Sequence, residues 1–220
     1  KGQIITSATL SQDIVNALAS KNWTVVSDST LTKVAEYVYD SKICRSMIPK
    51  FNDEFVKYFI DDVEDENGLV TRIISSMDEL PTLMRFGQAW VDGEVQEDYT
   101  KCLLEVLDMN TSELTNCSNM FRYCTNLTSI NCNWNTSNVT NMYAMFNACI
   151  NLTQLDVSNW NTSKVTNMQS MFYYCNKLTQ LDVSNFDTSS VTSMYAMFYS
   201  CNNLTQLDVS NFNTSNVTNM

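Results

Sequence analysis

Two stretches decide the fold: Leu152 to Lys177, LTQLDVSNWNTSKVTNMQSMFYYCNK, and Leu178 to Asn203, LTQLDVSNFDTSSVTSMYAMFYSCNN. Each has 26 residues, and the second repeats the first almost column for column. Working outward, a 25-residue unit (127–151) precedes them, and a more divergent 24-residue unit (103–126) precedes that. A fifth unit opens at Leu204 and runs to Met220. Met-Phe recurs at Met120/Phe121, Met145/Phe146, Met171/Phe172 and Met197/Phe198. Cysteine follows each Phe by three residues, at Cys124, Cys149, Cys175 and Cys201, and an aromatic recurs at Trp134, Trp160, Phe186 and Phe212. A period of this length is the signature of a stacked repeat architecture.

Within one unit, LTQLDVS alternates Leu155 and Val157 with Gln154, Asp156 and Ser158, which predicts a short strand with one buried face. The following Asn/Thr/Ser cluster is turn chemistry, because those side chains bond nearby backbone. Val165, Met168, Met171, Phe172 and Cys175 then follow at steps of three, three, one and three. That spacing predicts a short extended piece leading into a single helical or 3₁₀ turn on the opposite wall. One unit buries too little to fold alone, so each must share hydrogen bonds and packing with its neighbours, as in a solenoid.

At these residues the chain resembles the BspA-like leucine-rich repeat surface proteins, in the variant abundant in mycoplasma-type surface lipoproteins and gut bacteria. The resemblance covers residues 103–220 and rests on LxxLDVSNW…NTSxVTNMxxMFxxCxxL. It implies a right-handed leucine-rich-repeat solenoid, a secreted or surface-attached location, and adhesion to host proteins, cells or glycans. Similar repeats in bacteriophage tail and fibre proteins imply a second reading, a structural or receptor-binding virion or filament component. The family implies no catalytic residues.

Residues 1–102 lack the repeat and are expected to form an α+β N-terminal cap or adaptor domain, giving an α+β chain overall. Leu10–Lys21 and Lys50–Val63 have helical spacing, the latter with Phe51, Phe55, Tyr58 and Phe59 on one stripe. NWTVVS and LVTRIIS read as strands. Pro81 limits any helix starting near Ser76.

Composition narrows the function. The 220 residues carry a net charge of −11 and no histidine. Residues 1–102 hold 10 basic and 17 acidic groups, and 103–220 hold 3 and 7. No basic cluster is present to hold a phosphate backbone, so nucleic acid is not an expected partner. Without histidine, the commonest acid–base and metal-binding side chain is missing, and no base stands ready to activate a cysteine thiolate. Carboxylate pairs such as Glu64 and Asp65 are the only catalytic candidates and read as surface turn residues. No run of apolar residues is long enough to span a bilayer. The chain opens at Lys1 with no signal-peptide pattern, which points to a mature form or a fragment.

The candidate sites lie on the outward positions. Gln154, Asp156, Gln180, Asp182, Gln206 and Asp208 form one expected binding face. Tyr143, Tyr173, Tyr195 and Tyr199 form a second, since exposed tyrosines anchor proteins and sugars. No cofactor is expected. The Asp column, which includes Asp108 with Asn131 filling one gap, admits either a calcium ion bridging Asp156, Asp182 and Asp208 or a solvated face with raised carboxylate pKa values. DVEDENG (62–68) only partly matches a calcium loop: its glycine falls one position late and no glutamate closes it. The cysteine column reads as small buried apolar residues, and Cys102–Cys117 or Cys117–Cys132 remain possible bridges. The Asn-Thr-Ser sequons, as at Asn135 and Asn161, are part of the repeat turn.

Overall fold

The computed structural model describes residues 2–6, 16, 20, 23–27, 31–43, 50–51, 58–76, 80, 83–86, 89–91, 94–96, 101–131 and 133–220. Strands and turns dominate. They are β1 (Gly2–Thr6), β2 (Trp23–Ser27), β3 (Thr32–Asp40), β4 (Lys50–Phe51), β5 (Tyr58–Glu64), β6 (Leu69–Ser76), β7 (Met84–Arg85), β8 (Ala89–Val91), β9 (Glu94–Gln96), β10 (Leu103–Met109) and β11 (Ser129–Ile130). The largest sheet is open and mixed, in the order β11-β10-β3-β6-β5. The chain is therefore mostly β rather than the expected α+β.

β2 and β6 occupy the two stretches that read as strands. Most of Leu10–Lys21 lies outside the described residues. The helix expected over Lys50–Val63 is not formed where the chain is described: Tyr58–Glu64 pairs antiparallel with β6, from Tyr58↔Ser76 to Glu64↔Val70. The turn between them explains why. Asp65 Oδ1 accepts the N–H groups of Asn67 and Leu69, both at 2.8 Å, and Gly68 takes φ 82°. That is a hairpin turn only glycine enters without strain, and it fixes the strand before it.

β6 alternates, with Val70, Arg72, Ile74 and Ser76 on the buried side. Arg72 is tolerated there because Asp62, directly opposite on β5, takes it bidentately at 2.7 and 2.6 Å. The guanidinium also lies over the Tyr39 ring, 5.1 Å from its centre. A buried cation needs this pairing.

The sheet crosses the boundary expected at 102/103, because β10 pairs with β3 on one side and with β11 on the other. Beyond it the repeat units lie one above another. Parallel bridges link Leu83, Asn116, Asn141, Asn167, Ser193 and Asn219 in succession. The Phe rings stack in the same order, from Phe86 through Phe121, Phe146 and Phe172 to Phe198, at 5.3, 5.4, 5.6 and 5.7 Å.

Between the first two units a ladder runs where strands are expected, β10 with β11. The ladder that recurs between all the units runs along VTNMxxMFxxC. Met142, Ala144, Phe146 and Ala148 donate their N–H groups to the carbonyls of Asn167, Gln169, Met171 and Tyr173 at 2.7–2.9 Å. The alternate residues Met145, Asn147 and Cys149 instead bond three residues back, to Met142, Ala144 and Phe146. This wall is thus a chain of tight turns with the three-residue bond of the expected 3₁₀ alternative, repeated and bonded to its neighbour at every second residue in place of a single helical turn. LTQLDVS keeps the expected alternation, with Leu155 and Val157 buried and Gln154, Asp156 and Ser158 exposed. Its one inter-unit backbone bond is Thr179 N–H to Thr153 O, at 3.5 Å. The units sit closest at the turn wall and open along LTQLDVS.

Buried threonines add a second seam. Thr136 Oγ1 accepts the N–H of Asn161 at 2.7 Å and donates to the same residue's carbonyl at 3.0 Å. Thr188 does the same with Asn213.

Candidate binding surfaces

The opening along LTQLDVS makes a groove of about 420 Å³ between neighbouring units, lined among others by Gln154, Asp156, Gln180 and Asp182. A second of similar size is lined by Gln180, Asp182, Gln206 and Asp208. The structure therefore brings the expected Gln and Asp columns onto one continuous polar face.

The aspartates of that face are each held by a local hydrogen bond. Asp156, Asp182 and Asp208 each accept the N–H of the serine two residues on, at 2.9, 3.0 and 2.9 Å. Hydrogen bonding from that serine, its hydroxyl first and its N–H second, holds each carboxyl below its ordinary value, where the column led us to expect raised values. The charge of Asp208 opposes this at Asp182, but as the smallest of the influences there. Asp108 is bound differently, to Lys33 at 2.9 Å. Among the described residues no group of three or more His, Cys, Asp or Glu side chains comes together as a metal centre. In DVEDENG, Asp62 is taken by Arg72, Glu64 by the Ser41 hydroxyl at 2.9 Å, and Asp65 by its own turn.

The tyrosines lie on the turn wall. Tyr173 and Tyr199 stack at 5.0 Å, 13° from parallel, and Tyr174 packs edge-on against both, at 4.7 and 5.8 Å. Tyr174, Tyr195 and Tyr199 are 40%, 51% and 54% exposed, while Tyr143 and Tyr173 are half-buried. Tyr174 is not among the tyrosines expected from the sequence, since its column holds Tyr123, Ala148 and Ser200 in the other units. It stands at φ 60°, so the ring is carried outward on left-handed backbone.

The cysteines are interior thiols. Cys117, Cys124, Cys149 and Cys175 are buried and free, Cys102 is buried, and Cys201 is half-buried and free. The considered Cys102–Cys117 bridge is therefore not formed; Cys44 and Cys132 lie outside the described residues. Cys149, Cys175 and Cys201 each donate S–H to a Phe carbonyl of the preceding unit, at 3.1, 3.2 and 3.0 Å. Burial pushes the Cys117 thiol up to about 12.

The family model described as "Mycoplasma protein of unknown function, DUF285" matches residues 94–182 and, in a second overlapping copy, 153–220. The chain belongs to this family. The matched span starts at β9 and takes in every stacked unit from 103 onward. No curated protein and no solved structure matches the chain. No helix of the described residues is long and apolar enough to cross a membrane.

Proposed function

We propose that the chain is a non-catalytic, surface-exposed binding protein, built as a BspA-like leucine-rich-repeat solenoid, that adheres to a protein or glycan on a host or neighbouring cell. The reading rests on one observation above the others, the tyrosine cluster of Tyr173, Tyr174, Tyr195 and Tyr199. The recurrent Met, Phe, Cys, Val and Thr columns are consumed by packing and hydrogen bonds. The tyrosines are not, and large aromatic area with a polar tip is what dominates binding energy at interfaces. The absence of histidine and the occupation of Asp62, Glu64 and Asp65 by structural partners favour binding over catalysis.

The test is an array of host extracellular proteins and glycans probed with the wild-type chain and with the double variant Tyr174→Ser, Tyr199→Ser. Specific wild-type binding that the variant loses by tenfold or more, roughly the value of one anchor residue, supports the reading. Equal binding by both removes the tyrosine wall from it.

A further inference from the structure

Unit 127–151 is one residue short just before its tryptophan. It reads INCNW from Ile130 to Trp134, where the next unit reads LDVSNW from Leu155 to Trp160. The missing position is that of Ser158, Ser184 and Ser210. Where two neighbouring units both keep it, the asparagine before the aromatic reaches back across the gap. Asn185 Nδ2 donates to the carbonyls of Val157, Ser158 and Trp160 at 3.0, 2.9 and 3.1 Å. Asn211 Nδ2 donates to the Ser184 carbonyl at 3.1 Å. Asn159 is the same residue one unit earlier, and it faces the shortened segment. No such bond joins it to a described residue.

The result is a cleft of about 290 Å³, lined by Asn131, Asn133, Asp156 and Asn159 with Trp134 and Trp160 behind them. Both indole Nε1–H groups are buried and lack a hydrogen-bond partner among the described residues. Buried indole donors ordinarily find one. The same column is Phe186 and Phe212 in later units, so packing there does not require an N–H.

We propose that this cleft is a saccharide subsite that seats one neutral sugar ring. Each asparagine amide both donates and accepts, Asp156 keeps a second oxygen for accepting, and the indoles donate. That mixture matches a ring of hydroxyls. Among the described residues no cationic side chain lines the cleft, so phosphate, sulfate and other anions find no counter-charge there. The size stands at the lower end of small-ligand sites, about 300–1,000 Å³, which fits one ring. The cleft shares Ile130, Asn131 and Asp156 with the 420 Å³ groove, so further sugars of a chain would run along Gln154 and Gln180. Seating the ring requires one indole to reorient on binding so that its buried N–H reaches a ligand acceptor. This inference names a ligand class for the polar face and deepens the binding reading. It stands on the shortened unit and not on the tyrosines, so either can fail alone.

The experiment titrates glucose, galactose, mannose, N-acetylglucosamine and N-acetylgalactosamine separately onto the full chain. Saturation-transfer NMR and tryptophan emission are read together. At least one sugar is expected to bind in roughly the millimolar range, with shifted emission. Asn159→Ala and Trp160→Phe should each weaken it by about tenfold, and Lys177→Ala, an exposed residue outside the cleft and the tyrosine wall, should leave it unchanged. A serine inserted after Cys132 restores the 26-residue unit and should abolish binding without lowering the melting temperature. If that insertion misfolds, the double variant Asn159→Ala, Trp160→Phe decides instead. The proposal is overturned if no sugar gives a signal, which would mean a cleft for water only. It is equally overturned if only a lysine-rich peptide binds, or if the folded variants keep wild-type affinity.

Discussion

At the scale of single residues, the same few chemical devices recur every unit. Asp156, Asp182 and Asp208 close turns onto Ser158, Ser184 and Ser210, and Asp187 does so onto Ser189 at 3.0 Å. Each folded-state pKa is lowered by that serine. A depressed carboxylate contributes stability that is present above its unfolded value, about 3.9, and is lost as pH falls through the folded value. Urea midpoints should therefore hold steady from neutral pH down to about 4 and drop below it. The triple variant Asp156→Asn, Asp182→Asn, Asp208→Asn keeps a turn-closing oxygen without the charge, and should show a shallower acid limb. An identical acid limb would mean the turns contribute nothing through their charge. The thiols make a second residue-scale case. Burial raises Cys117 to about 12 and Cys201 only to about 11, and Cys201 is the more exposed of the two. Mass-spectrometric mapping after brief alkylation of the native chain should find Cys201 labelled well before Cys117, Cys124, Cys149 or Cys175. Rapid labelling of Cys149 would contradict the packed column.

At the scale of the element, the turn wall is the unusual part. Residues 103–220 contain no glycine, yet each complete unit places two side-chain-bearing residues at positive φ. They are Asn119 and Tyr123, Ala144 and Ala148, Ser170 and Tyr174, and Ala196 and Ser200. Left-handed backbone costs an L-residue roughly 1–2 kcal/mol. In the first three units it is held because the N–H of each such residue is captured by the next unit, and Ala196 and Ser200 of the fourth unit keep the same backbone. A β-branched side chain tolerates that region least, and Ala144 is also fully buried. Ala144→Val should therefore lower stability by about 2 kcal/mol or more in denaturant unfolding, whereas a neutral result would mean the wall relaxes easily. This is also where the sequence was least legible. Alternation at Leu155 and Val157 correctly gave burial, and the Met-Phe and Cys columns correctly gave the interior. Alternation reports which side chains point inward, and not which backbone groups find partners across the gap. LTQLDVS looked like the ladder and VTNMQSMF like a helical turn because spacings of three and four suit a run of turns as well as a helix. The left-handed positions left no trace, since no glycine marks them. In the binding face the Gln and Asp columns were legible by alternation, while Tyr174 and the cleft at Asn159 depend on local backbone that only the folded chain shows.

At the scale of the whole molecule, the repeat and the first hundred residues share one sheet. β10 is paired with β3, and the stack of Phe rings continues through Phe86 to Tyr37, 5.2 Å away and edge-on. Phe86 lies 35 residues before Phe121, outside the 24–26-residue spacing, which is why it escaped the columns. Fragment 103–220 would bare one edge of β10 and one face of Phe121. It should melt lower than the full chain and bind hydrophobic dye; a fragment as stable as the full chain would show that the shared sheet is incidental. The molecule that results coheres along one wall and opens along the other. Native-state hydrogen exchange tests that division most directly. The amides of Met142, Ala144, Phe146 and Ala148, with Met168, Ser170, Phe172 and Tyr174, should be the slowest to exchange, and those of Gln154, Asp156, Gln180 and Asp182 fast. Slow exchange along LTQLDVS with fast exchange along the turn wall would contradict the account.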